Sequence, residues 1–128
     1  MAFRKLIAFL LLLAIHLQPA NGQQADRSYL IDVAACNKLL DAARLAMDTS
    51  TETAMKIITE LKMAVAQLRV DSLTAKVFTE EGYCNFYAGD YRKAALAFDS
   101  AGLLWKNINK LNYAKSLNNK GNAMMYNS

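Results

Sequence analysis

The chain has 128 residues, 54% hydrophobic and 20% charged, with a formal net charge of +4, which bounds it to one small domain able to bury roughly 60–70% of its surface. Arg4 and Lys5 fall in an N-terminal leader, and without them 13 basic residues face 11 acidic ones, interspersed along the chain at a net +2. No basic block remains, so the electrostatic footprint of a nucleic-acid binder is absent.

Residues 1–22 read as a signal peptide. Arg4 and Lys5 form a basic start and residues 6–17 an apolar run, followed by the breaker Pro19 and the small-x-small pattern Ala20-Asn21-Gly22. Twelve apolar residues are too few for a transmembrane helix, which needs about 20. The expectation is an exported chain, periplasmic or secreted, cleaved after Gly22 and without a stable membrane span. The only histidine, His16, leaves with the leader.

Residues 23–28 are polar and predicted to fray. From about Tyr29 to Met47, Leu30, Val33, Leu40, Ala43 and Met47 follow helical steps. Thr49 and Glu52 have capping-box spacing for a second helix carrying Ala54, Ile58, Leu61, Val65 and Leu68. Asp71-Ser72 marks the next break, and a third helix runs over 73–88 with Phe78, Gly82, Asn85 and Phe86 on its stripe. Gly89 is suited to the left-handed conformation that closes a helix, and Asp90 to capping the next. The fourth helix buries Tyr91, Ala94, Phe98, Ala101 and Trp105, with Gly82 allowing a neighbouring backbone close approach. After a connection over 107–112, a fifth helix follows.

The stripes recur. Ala54, Ile58, Leu61, Val65 and Leu68 precede Ala94, Phe98, Ala101, Trp105 and Ile108 by 40 residues. Ala75, Lys76, Phe78 and Gly82 precede Ala114, Lys115, Leu117 and Gly121 by 39. Two half-units repeating at nearly one interval describe stacked helix hairpins. The expected fold is all-α, about five helices in antiparallel hairpin repeats over residues 23–128, with units at about 29–70, 71–109 and an incomplete 110–128. The last unit leaves Leu117, Met124 and Met125 uncovered, as in a fragment, or a small protein that hides the stripe in a homodimer or against a partner helix.

Chemistry is scarce. Without histidine there is no His-dependent base or nucleophile relay and little scope for zinc, so no catalytic, metal or cofactor residues are assigned. Glu80 and Glu81 are adjacent, about 100° apart on a helix, and read as a solvated flank. Cys36 lies near the start of its helix and Cys84 mid-helix. Stacking leaves them roughly 12 Å apart along the axis, against the 4.4–6.8 Å or so that a disulfide tolerates, so two small buried hydrophobes are favoured over a bridge.

Gly82, Gly89-Asp90-Tyr91, Ala94, Phe98 and Ala101 resemble the consensus of the tetratricopeptide repeat, a helix-turn-helix unit of about 34 residues. Glu81 stands where that family usually has an aliphatic residue, and no proline closes the unit. The resemblance implies a concave groove formed by the first helices. Lys76, Thr79 and Tyr83 would line it from one repeat and Lys115, Asn118 and Asn122 from the next, holding a protein or peptide through its carbonyls or a carboxylate. The leader, the spacing and residues 114–122 are also similar to the periplasmic repeat arrays of bacterial membrane sensor kinases and regulators. That similarity implies a non-catalytic input or scaffold module of a longer signalling protein. A free-standing secreted bundle binding a small apolar ligand, or dimerising through its last helix, is the alternative.

Overall fold

The computed structural model describes the backbone of residues 22–128 and the side chains of residues 32–128. The leader expected over 1–22 lies outside the described residues, apart from Gly22. Five helices follow in order, α1 Gly22–Met47, α2 Thr51–Leu68, α3 Asp71–Tyr87, α4 Tyr91–Trp105 and α5 Lys110–Tyr126, with no strand among the described residues. The protein is all-α. None of its described helices is long and apolar enough to cross a membrane.

Short connections make each helix antiparallel to the next, and their chemistry explains where each helix stops. α1 starts at Gly22, earlier than the fraying at 23–28 would allow, because neither glycine nor proline interrupts residues 23–47. Ser50, rather than Thr49, caps α2. Its extended backbone lets Oγ accept from the Thr53 amide at 3.1 Å, while the Thr49 hydroxyl donates back to the Ala46 carbonyl at 3.3 Å. α2 ends on Arg69 in the left-handed region, at φ 55°, with its amide donating to the Val65 carbonyl. The break therefore falls at Arg69-Val70, and Asp71 is already helical, its charge placed at the positive end of the α3 dipole.

The α3–α4 corner closes as a Schellman motif. Gly89, at φ 82°, donates to the Phe86 carbonyl, Asp90 donates to the Asn85 carbonyl, and the Asp90 carboxylate accepts from the Lys93 amide. The α4–α5 connection is tighter than the expected 107–112. Two amides, from Ile108 and Asn109, turn onto the Trp105 carbonyl, and Asn109 caps α5 by accepting from the Asn112 amide.

Packing follows the repeat. Consecutive helices pair, and α1 also touches α3. In the hairpins' second helices, Ala54, Ile58, Leu61 and Val65 of α2 and Ala94, Phe98, Ala101 and Trp105 of α4 are all buried. α3, the first helix of the second hairpin, packs against α4 on one side and against α2 and α1 on the other, and is buried on two faces. Leu73, Val77 and Cys84 join Leu40, Ile58 and Leu61 in the largest cluster, while Phe78 and Phe86 turn toward α4. The close neighbour of Gly82 is a ring rather than a backbone, since a Cβ there would lie 2.5 Å from Phe98 Cδ1. Toward the end the core thins, and α5 fully buries only Ser116 and Ala123. Both cysteines are buried and unbridged, with the Cys84 thiol donating to the Thr51 carbonyl at 3.2 Å.

Candidate functional site

The first helices α1, α3 and α5 border one open cleft of about 220 Å³. α3 supplies Lys76, Thr79, Glu80 and Tyr83; α5 supplies Asn112, Lys115, Ser116 and Asn119; Arg44 closes one end, and Trp105 of α4 forms part of the wall. Helical spacing puts these side chains together. Residues 76, 79, 80 and 83 share one flank of α3, as 112, 115, 116 and 119 share one flank of α5.

Of the six groove residues expected from the sequence, Lys76, Thr79, Tyr83 and Lys115 line this cleft. Asn118 and Asn122 are exposed and outside it. The reason is directional. Thr79 and Tyr83 look forward from α3 toward α5, and Asn118 and Asn122, their counterparts, look forward again to the far side of α5. The wall facing back toward α3 is built from Asn112, Ser116 and Asn119 instead. Those residues and Arg44 escaped the sequence reading, because the apolar stripe of α5, Leu117, Met124 and Met125, runs along the opposite face.

Two polar bridges tie neighbouring first helices, each across a separation of 36 residues. Arg44 Nε donates to Glu80 Oε1, and Asn119 Nδ2 donates to the Tyr83 hydroxyl at 2.9 Å. Tyr83 also sits edge-on to Phe98, with centroids 5.3 Å apart, so it belongs partly to the core. Thr79 donates its hydroxyl to the Ala75 carbonyl. Glu80, read from the sequence as a solvated flank, is buried with its side chain 6% exposed, and Glu81 pairs with Lys62 at 2.9 Å. Their helix is covered on both sides, which a one-stripe reading of α3 misses. Lys76 and Lys115 remain exposed and enter no ion pair among the described residues.

Burial pushes the Glu80 carboxyl above the ordinary glutamate range, further than the hydrogen bond and charge of Arg44 pull it back, and Asp41 adds to the rise. A folded value above the unfolded one gives a contribution that is full below the ordinary value of about 4.3 and is lost as pH rises through the folded value. Measured by denaturant titration, the stability of the wild type relative to Glu80→Gln should fall as pH rises from about 4, then level off. A difference that grows with pH would mean that the Arg44 pairing outweighs burial.

A second cleft of about 250 Å³ opens on the other side of α3, with Phe78, Leu96 and Ala97 as apolar wall and Lys62, Glu81 and Lys93 at its edge. Lys62 Nζ lies 5.5 Å from the Phe78 ring centroid while pairing with Glu81, so its charge is already engaged. Comparison with protein-family models, curated proteins and solved structures finds no match to this chain.

Proposed function

We propose that the protein is a non-catalytic interaction module that holds an extended segment of another protein in the cleft between α3 and α5. The observation that carries this reading is the pair Lys76 and Lys115. Two unpaired ammonium groups from consecutive first helices stand over a wall of Tyr83, Asn112 and Asn119. Ammonium groups so placed bind a carboxylate or successive peptide carbonyls by charge-assisted hydrogen bonds, with amide and phenol groups completing the contacts. The sequence resemblance to tetratricopeptide repeats, in which first helices form the peptide groove, supports the same assignment. An exported setting, as input or scaffold part of a longer sensing or regulatory protein, follows from the leader pattern and is proposed with it.

Peptides selected on the full chain from a displayed random library provide the test. Those selected should be enriched in Asp and Glu and should bind the double variant Lys76→Glu/Lys115→Glu at least about tenfold more weakly. The variant's stability should stay within about 0.5 kcal/mol of the wild type, as for surface substitutions. Equal affinity for both proteins would overturn the assignment. Tyr83→Ala is not a clean probe, because it also removes the contact with Phe98; Tyr83→Phe tests the hydroxyl alone.

A further inference from the structure

We infer that acidity gates the cleft between α3 and α5: Glu80 is a carboxylate built into its wall, it opposes the carboxylates of a bound segment, and protonating it tightens binding. The inference rests on the proposed reading of that cleft as a groove for an acidic peptide. Three cations, Arg44, Lys76 and Lys115, line the cleft, and Glu80 is the only acid among its lining residues. Its side chain is 6% exposed, so water screens its charge weakly. Arg44 divides its guanidinium between two acids, donating from Nε to Glu80 and from an Nη nitrogen to Asp41 at 3.2 Å. An incoming carboxylate therefore meets an arginine engaged from within, with a negative charge behind it.

The charges around Glu80 come from each neighbouring helix in turn. α1 contributes Arg44, 51% exposed, and Asp41, 72% exposed. α5 faces the cleft with Lys115, and α3 itself with Lys76. Lys62 of α2 is held by Glu81 in the other cleft, and α4 supplies the Trp105 ring to this wall while its Asp99 is held by Lys120. The wall contains no histidine and no second carboxylate. Burial raises the Glu80 carboxyl above the ordinary glutamate range, whereas exposed Asp and Glu side chains of a peptide titrate at about 3.9–4.3. As pH falls through the folded Glu80 value, Glu80 gains its proton while the peptide stays anionic. The cleft then loses its negative charge, Arg44 is released toward the peptide, and affinity rises. Linkage runs both ways: a bound anion favours protonated Glu80, so binding takes up protons.

An acetylated and amidated peptide that alternates serine with cysteic acid serves as the probe, because its sulfonates stay ionised and only the protein titrates. In calorimetric titration of the full chain, it should bind about fivefold or more tightly at about pH 5 than at about pH 7.5. At intermediate pH the wild type should take up protons on binding, read from the dependence of the heat on the buffer's ionisation enthalpy. Glu80→Gln should abolish both effects, binding at either pH as tightly as the wild type does in acid. A flat wild-type profile, no proton uptake, or a Glu80→Gln profile that still rises would overturn the inference and leave the reading of the cleft standing. A probe that binds at no pH, or binds Lys76→Glu/Lys115→Glu equally well, would instead overturn that reading, and the inference with it.

Discussion

Phe98→Ala is expected to remove about 3–5 kcal/mol of stability, a large share of the 5–15 kcal/mol or so that holds a domain together. The ring is 2% exposed and is the point at which three helices meet. It lies on α4, fills the space over Gly82 of α3, and packs with Tyr83, Phe86 and Ala123, the last from α5. Removing it leaves a cavity that small neighbours cannot refill, since Ala94 and Ala123 have no flexible side chain to move in. Leu103, one and a half turns further along α4 and 69% exposed, gives the contrast: Leu103→Ala should cost under about 0.5 kcal/mol. Equilibrium unfolding of both variants in denaturant checks the pair, and comparable losses would show that Phe98 is not the central contact.

The second large effect is one of sign. Glycine to alanine in a helix interior ordinarily stabilises by about 0.5–1 kcal/mol, because alanine loses less backbone freedom on folding. Gly121→Ala should follow that rule, since its surroundings are open. Gly82→Ala should break it. The new methyl group would meet the Phe98 ring at 2.5 Å, the ring is held edge-on by Tyr83, and overpacking of this kind costs about 1–3 kcal/mol. The expected net effect at Gly82 is a loss of about 1–2 kcal/mol. In a Phe98→Leu background the collision is relieved, so the same substitution should become neutral or stabilising, a coupling that a double-mutant cycle reads directly. Equal effects at the two glycines would mean that Gly82 is not pressed against the ring.

The residues behind these two predictions also mark how far the sequence could be read. Apolar periodicity and the Gly89-Asp90 corner were sufficient for five helices, and the 40-residue recurrence correctly paired Ala54, Ile58, Leu61 and Val65 with Ala94, Phe98, Ala101 and Trp105, but its fifth pair, Leu68 and Ile108, fails, because Ile108 lies past the end of α4 and is 48% exposed. Those positions are set by local spacing, which a linear string preserves. The 39-residue recurrence was less informative about burial. Ala75 and Ala114, Phe78 and Leu117, and Gly82 and Gly121 match in type, yet the first of each pair is covered and the second is open. Burial depends on whether another helix follows in space, and residue type alone does not encode that.

Polar residues were hardest. Glu80 is acceptable in a core only because Arg44 reaches it from a helix 36 residues earlier, and nothing local announces such a partner. The candidate groove was half legible for the same reason. Lys76, Thr79, Tyr83 and Lys115 could be placed by analogy of position, but a cleft has two walls, and the wall contributed by α5 uses the flank that looks backward. Asn112, Ser116 and Asn119 lie there, on the face opposite the apolar stripe of Leu117, Met124 and Met125 that the periodic pattern follows.

The thinning of the core toward α5 has a thermodynamic consequence. Besides the two small buried side chains Ser116 and Ala123, α5 is held at its edges, by Asn119 on Tyr83, Lys120 on Asp99 and Tyr126 against Phe86 and Tyr91, so its opening is expected at a lower free energy than that of the better-buried α3 and α4. Its apolar stripe is then hydrated both when the helix is formed and when it is open. Hydrogen exchange of the α5 amides should therefore be faster than that of the α3 and α4 amides.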